Sequence, residues 1–315
     1  MSEPIAYLNG LYTPAGAAFL PLHDAGFVYG ATVSDVCRTF RHKLYMLHDH
    51  LARFRLSCRG AHIPLALADD ELVTIAERVA HNNAATLAPD QELVLTMFAT
   101  PGPLRAMVSG WSDRKPGSDS TAPKAGLAAA PTLGMHTYPL PFGRNAPFFE
   151  RGAHLIVPSV RQVPVASIDP RIKQRSRLHW WLAEQEVKTV DPDALALLEG
   201  EGGRIAETAV ANFLIVKKGT IVSPPLHTIL NGVSLQVVRE VAAGLAIPFA
   251  EEEIRLDDCV AADEAMLAGT TFCLGGVSRI NEHAIPWPGP TFQRVLSAWS
   301  DRVGLDIARQ TLANR

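Results

Sequence analysis

Cysteine is scarce in this chain. Only four occur in 315 residues, Cys37, Cys58, Cys259 and Cys273, and no two form a CxxC pair. That spacing suggests neither a disulfide framework nor a cysteine zinc site, and reduced thiols in a cytoplasmic protein are the expected state. Charge of one sign is lacking too. The 29 basic and 32 acidic residues leave a net charge of −3, so no global field favours nucleic acid. No apolar run approaches the roughly 20 residues of a membrane span, so no membrane partner is expected. The opening MSEPIAYLNG has neither a basic n-region nor an apolar h-region, so no signal peptide is expected. Repeats and low-complexity arrays are absent. What is present is ordinary for a well-buried globular enzyme: 47% hydrophobic and 19% charged residues. The length suits two domains of about 150 residues each.

Residues 5–13 read as a hairpin turning at Asn9-Gly10. Val33, Cys37, Thr39 and Phe40 suit a strand, followed by a turn at His42-Lys43 and a short strand Leu44–Leu47. Asp49 is a plausible N-cap for a helix with Leu51, Phe54 and Cys58 inward. A second helix is expected over 69–83, capped by Asp69 or Asp70, with Leu72, Ile75, Ala76 and Val79 as its stripe. Glu92–Ala99 reads as a strand, 109–124 as a polar loop or linker, and Leu127–Ala130 as one more strand. Domain boundaries follow: a small domain over 1–130, a proline-bearing linker over 131–143 and a larger domain over 144–315. In the second half, strands are expected at 153–159 and 193–200. A hairpin joins Phe213–Val216 to Thr220–Ser223, and a helix runs over Val233–Gly244. A strand, a glycine-rich turn and a strand occupy 268–285, and a single terminal helix is expected over 290–312. There is no steady βαβ rhythm, so the fold class is α+β with antiparallel character.

The chemistry centres on SIDPRIKQRSRLHWWLAEQEV, residues 167–187. Its second part patterns as a helix with Leu178, Trp181, Leu182 and Val187 inward and Glu184, Gln185 and Lys188 in water. Lys173 lies just before it, flanked by Arg171, Arg175 and Arg177. Cationic neighbours disfavour a further positive charge, and a partly neutral amine can attack a carbonyl. Read alone, four basic residues in seven are more simply a solvated patch or an anion site. Three further features suit an anion. Arg53 offers a planar fork, Asn231-Gly232-Val233-Ser234 opens a helix, and Gly269-Thr270-Thr271 combines a flexible backbone with two hydroxyls. Singly, each has a bland reading as surface residue, cap or turn. Glu207, between a glycine-rich turn and a hairpin, is placed to reach a ring nitrogen or, more plainly, to sit solvated at a strand end. His48 and His50 diverge at a helix start with no third ligand near, so no metal is expected.

Taken in order, these blocks resemble the fold type IV, or class IV, pyridoxal-phosphate aminotransferases. That family includes branched-chain and D-amino acid aminotransferases and aminodeoxychorismate lyase. VYGATVSDVCRTFRHKLYMLHDHLARFRLSC, IDPRIKQRSRLHWWLAEQEV, ETAVANFLIVKKGTIVSPP with ILNGVS, and AGTTFCLGGVSRI carry the resemblance over roughly residues 5–285. The resemblance implies a small N-terminal α/β domain and a larger pseudo-barrel domain. It implies pyridoxal 5′-phosphate held by Lys173 as a Schiff base, with Glu207 at the ring nitrogen. Arg53, Val233, Ser234, Thr270 and Thr271 would take the phosphate. It implies amino acid and 2-oxo acid substrates, with branched-chain amino acids among the candidates, and a homodimer whose active site is completed by the second subunit. A lyase eliminating pyruvate, or a non-catalytic homologue that binds the cofactor, are the alternatives. This chain departs from the pattern at two places. Ser34-Asp35 stands where many members have an aromatic residue and a glutamate, and Ser176 where many have asparagine. Ser34 and Arg38 are the candidate substrate contacts, with Arg38 either a carboxylate binder or structural.

Overall fold

The structure, a computed structural model, describes residues 3–104, 107 and 130–315. The chain divides into two compact units. One runs to Pro139 and also takes in Ile172–Ser176; the other comprises Leu140–Arg171 and Arg177–Arg315. The 109–124 loop lies outside the described residues, as does most of the strand expected at Leu127–Ala130.

In the first unit, β1 (Ile5–Leu8) and β2 (Leu11–Pro14) form the expected hairpin. Asn9 and Gly10 both carry positive φ, 49° and 92°, as a two-residue turn between twisted strands requires. A single helical turn, α1 (Ala25–Val28), is capped by Asp24, whose Oδ1 accepts from Gly26 N at 2.7 Å. Then come β3 (Val33–Phe40), β4 (Lys43–Leu44), α2 (Leu47–Gly60), α3 (Asp69–Ala84), β5 (Leu93–Thr100) and β6 (Thr132–Pro139). The strands make one sheet in the order β2-β1-β6-β5-β3-β4, with every pairing antiparallel. One face buries Val33, Cys37, Leu95, Met97, Leu133 and Met135 under α2 and α3. Leu51, Phe54 and Cys58 point inward from α2, and Leu72, Ile75, Ala76 and Val79 from α3, as their spacing predicts. Burial of each large side chain stabilises the unit by about 1.5–3 kcal/mol.

Local details differ from expectation. The turn before β4 falls at Arg41-His42, both at positive φ, so β4 is Lys43–Leu44. The helix α2 begins at Leu47, which puts Asp49 inside its first turn rather than at the cap. Ala68, not an aspartate, precedes α3. Its N–H donates to Glu71 Oε2 at 2.7 Å, so the carboxylate three residues on satisfies the helix start. Residues 131–143, read as a linker, hold β6, whose pairing with β5 runs from Leu93↔Pro139 to Thr100↔Thr132. Prolines at both ends of an apolar strand gave the stretch its linker composition.

The second unit contains the short helices α4 (Phe142–Asn145) and α5 (Pro147–Glu150), then β7 (Ala153–Ile156), α6 (Leu178–Lys188), β8 (Leu195–Glu199) and β9 (Ile205–Thr208). These lead to β10 (Asn212–Lys217), β11 (Thr220–Ser223), α7 (Val233–Gly244), β12 (Phe249–Glu251), α8 (Leu256–Val260) and β13 (Glu264–Gly269). The chain finishes with β14 (Cys273–Ile280), β15 (His283–Ala284), α9 (Pro290–Val303) and α10 (Ile307–Ala313). Strands β10, β13, β14, β7, β8 and β9 follow one another, and β9 pairs back to β10 through Asn212↔Glu207. These six strands therefore close into a barrel, while β11 and β12 continue the sheet from β10. Its interior is apolar: Leu155, Leu197, Phe213, Ile215, Leu267 and Val277 are fully buried. The expected terminal helix is two, because Gly304, at φ 64°, ends α9 in a left-handed cap.

The largest revision concerns α6. Trp180, Ala183 and Val187 face inward, onto Ala196 and Leu198 of β8. Leu178, Trp181 and Leu182, expected inside, are 68%, 62% and 50% exposed. Both faces of this helix are apolar, so periodicity alone could not choose between them. Ala183 is small enough for close approach to β8, and that favours the second stripe. Glu184, expected in water, is largely covered and accepts from Ala196 N at 3.2 Å; burial raises its pKa.

Candidate active site

In the first unit, β3 presents Asp35 and α2 presents His50 and Arg53. Asp35 is fully buried. Its Oδ2 accepts from Arg53 Nε at 2.8 Å and its Oδ1 from Arg53 Nη2 at 2.9 Å, a two-pronged ion pair. Oδ1 also meets His50 Nδ1 at 2.7 Å. A carboxylate only accepts, so His50 must donate from Nδ1. Its contact of 3.4 Å with Arg53 Nη2 is then not a hydrogen bond, since both atoms carry hydrogen. Burial opposes the Asp35 charge, but the Arg53 guanidinium outweighs it and holds the carboxyl well below the usual carboxylate range. Burial likewise pushes His50 below its ordinary value, aided by the positive charges of Arg53 and Lys173, although Asp35 pulls the other way. A neutral His50 that orients Asp35 is the consistent reading.

The segment around Lys173 lies along β3. Ser34 N donates to Lys173 O at 2.9 Å, Arg175 N donates to Thr32 O at 2.7 Å, and Val33 bridges Gln174. Lys173 N donates to Ser57 Oγ on α2 at 3.0 Å. Ser176 Oγ donates to Gly30 O at 2.6 Å. Gly30 sits at φ 65°, and a Cβ there would press on Ser176 Oγ. Thus the hydroxyl of Ser176, which departs from the expected asparagine, ties down the backbone three residues after the lysine. Ser34 is buried beside Lys173. Arg38 is 1% exposed, stacked 3.9 Å from the Phe40 ring centre, and its Nε donates to Thr39 O. Of its two expected roles, the packing one is what these contacts describe.

In the second unit, Glu207 on β9 is nearly buried. Its Oε2 accepts from Asn212 Nδ2 at 3.0 Å and its Oε1 from Leu230 N at 3.1 Å. Asn212 Nδ2 also donates to Leu230 O at 2.8 Å. Gly232 follows because a Cβ there would collide with Asn212 Oδ1. Gly232 is also the N-cap of α7, and no side chain caps that end. The first amides of a helix lack intrahelical partners, so Val233 and Ser234 stand at a terminus suited to an anion. Thr270 and Thr271 lie in the turn between β13 and β14, closed by Gly269↔Cys273 pairing. Asn145 on α4 braces that turn, donating from Nδ2 to Thr271 O at 3.2 Å.

The polar set therefore includes residues the sequence reading did not single out for the site. Asp35, Ser57, Asn212 and Asn145 each hold a predicted residue in place, and His50 orients Asp35. An acid at the position before Val36 was the available signal for Asp35. Nothing in the local sequence marks Asn145, which is 126 residues from its partner. All four cysteines are free and buried, and burial pushes the Cys58 and Cys259 thiols up to about 12.

A family model described as amino-transferase class IV matches residues 32–280. The chain belongs to that family. A putative branched-chain-amino-acid aminotransferase of Methanocaldococcus jannaschii is 28% identical over 267 residues, covering 84% of this chain and 83% of the relative. A D-alanine aminotransferase of Staphylococcus aureus is 23% identical and covers 84% and 85%. The fold agrees with solved structures. The branched-chain amino acid aminotransferase of Escherichia coli superposes with a TM-score of 0.81 at 19% identity, covering 95% of this chain and 94% of that one. That of Thermoproteus uzoniensis gives 0.77 at 20% identity, with 95% of each chain covered. This aminotransferase is thus an α+β protein of fold type IV, with a barrel-like second sheet, and uses pyridoxal 5′-phosphate to move an amino group between an amino acid and a 2-oxo acid. Among the described residues, no helix is long and apolar enough to cross a membrane.

Proposed function

We propose that Lys173 carries the cofactor covalently and that Glu207 pairs with its ring nitrogen. Arg53, the Val233 and Ser234 amides, and Thr270 and Thr271 take the phosphate, and Ser34 contacts substrate. The single observation that carries this reading is the bracing of Glu207. A carboxylate on a barrel strand, oriented by two neutral donors and next to an uncapped helix start, fits a ring nitrogen and a phosphate. When bound, pyridoxal phosphate supplies a ring that accepts electrons. The protein's own residues do the rest. Glu207 would hold a proton on the ring nitrogen, and the Lys173 amine would take the proton from substrate Cα. Ser57 and Ser34 fix the backbone of Lys173 for that transfer.

For substrate, we read an amino acid of the kinds its relatives handle, branched-chain amino acids first and D-alanine second, because those names recur among them. Donors screened against pyruvate and 2-oxoglutarate, followed in the visible band, test this. A shift on adding the amino acid, reversed by an oxo acid, is expected; pyruvate released without an acceptor would instead mark a lyase. Glu207→Gln should keep bound cofactor but lower kcat by about 10²–10³-fold, the scale for losing one preorganised electrostatic group. Unchanged kcat would remove Glu207 from the ring.

We also read the enzyme as a cytoplasmic homodimer. Leu178, Trp181 and Leu182 form an exposed apolar strip on α6, and in the first unit Phe19, Leu22, Phe27 and Tyr29 are likewise exposed. Clustered apolar exposure of this kind marks an association surface. The variant Trp181→Asp with Leu182→Asp should sediment as a monomer while keeping its helical circular dichroism. A dimer that survives both changes would place the interface elsewhere.

A further inference from the structure

We propose that Arg175, with His136 and Tyr138, forms the subsite that takes a substrate carboxylate. Ser34, Phe98 and Gly134 lie abreast on β3, β5 and β6; Val36, Thr96 and His136 form the next but one row, and Arg38, Val94 and Tyr138 the next but one again. These residues share the sheet face away from α2 and α3, since the alternate positions Val33, Cys37, Leu95, Met97 and Met135 fill the core beneath the helices. The bridge between Val33 and Gln174 puts the Gln174 side chain on the helix side. Alternation then places Lys173 and Arg175 together on the other side, the one that carries His136 and Tyr138.

Charge supports the grouping. The Arg175 guanidinium is close enough to His136 to help burial hold its pKa below the ordinary value, and close enough to Tyr138 to be acted on by it. Arg175 is exposed, so its guanidinium is open to an arriving anion, which its charge attracts. Among the described residues, no carboxylate forms an ion pair with Arg175, whereas Arg171 and Arg53 each have one. Arg38, the other arginine of this face, is stacked on Phe40. Arg175 therefore offers a planar fork, two residues from the lysine that carries the reaction, flanked by a neutral imidazole and a phenol that can donate hydrogen bonds. The shared chemistry is a carboxylate, either the one on the reacting carbon or a second one at the far end of a dicarboxylic acid.

This inference rests on Lys173 being the reacting amine, and its test does not depend on turnover. Binding of glutarate and of butyrate, neither of which can react, is measured by calorimetry on the cofactor-loaded dimer and on Arg175→Gln and Arg175→Lys. Arg175→Gln should weaken glutarate by about 10- to 100-fold, the scale of a lost charge-assisted pair, and Arg175→Lys should restore part of it. In steady state, KM for 2-oxoglutarate should rise alike while kcat changes by less than about threefold. Weakening of glutarate alone assigns the distal carboxylate; equal weakening of butyrate assigns the carboxylate on the reacting carbon. Glutarate affinity unchanged in Arg175→Gln, with the visible band and unfolding midpoint of wild type, overturns the subsite. Cofactor attached to a different lysine would defeat the reading of Lys173 and leave the glutarate result standing.

Discussion

Replacing Lys173 by alanine is expected to lower transamination by about 10⁴-fold or more. The residue is asked to do two things, to hold the cofactor covalently and to move the proton at substrate Cα. Proton transfer by a positioned group is alone worth about 10²–10⁴-fold, and covalent attachment adds to it. The backbone of Lys173 is fixed by Ser57 Oγ and by Ser34 N, so alanine should leave the segment in place. The phosphate contacts proposed on α7 and the β13–β14 turn do not involve Lys173, so some cofactor should stay bound. Borohydride reduction followed by peptide mass mapping supplies a second readout. In wild type, the added mass should sit on the peptide holding Lys173, and in the variant no peptide should carry it. Undiminished turnover, or the added mass on another lysine, would sink the assignment.

Asp35→Asn should destabilise the enzyme by about 3–5 kcal/mol, the cost of leaving a buried partner charge uncompensated. Asp35 is 0% exposed, and it faces Arg53 through two hydrogen bonds and His50 through a third. Asparagine keeps the size but returns no charge to Arg53. Urea unfolding should be compared at one cofactor concentration, because a bound cofactor raises apparent stability by mass action. A loss under about 1 kcal/mol would mean that water or another group compensates Arg53. The acid limb gives an independent check. The folded pKa of Asp35 lies below its unfolded value of about 4, so its contribution is complete above that pH and is lost as pH falls through the folded value. The folded pKa of His50 is also lowered, so the unfolded chain gains a proton first as pH falls below about 6.5, which again favours unfolding. Wild type should therefore lose stability in both ranges on acidification, and Asp35→Asn should lose less than wild type below about pH 4, the remainder coming from other carboxylates held low, such as Asp258.

The elements that build the site were legible wherever a period and a punctuation mark agreed. Asn9-Gly10 announced its hairpin, and the valines of α7 face inward as their spacing requires. The same holds for Leu72, Ile75, Ala76 and Val79 on α3. Where two periods competed, or composition imitated a loop, the sequence was ambiguous. The helix α6 carries two apolar stripes, and the prolines around β6 made a central strand look like a linker.

The order of four motif blocks along the chain was enough, with no coordinates, to select the family, its cofactor and the candidate lysine, because each block needs particular residue types at short spacing. Tertiary structure decided the partners. Glu207 is held by Asn212 and Leu230, Arg53 by Asp35, and Thr271 by Asn145, contacts that form only once separate elements, 5 to 126 residues apart, are brought together. A side chain's charge is written in the chain, but the burial and neighbours that direct that charge exist only after strands close and helices dock.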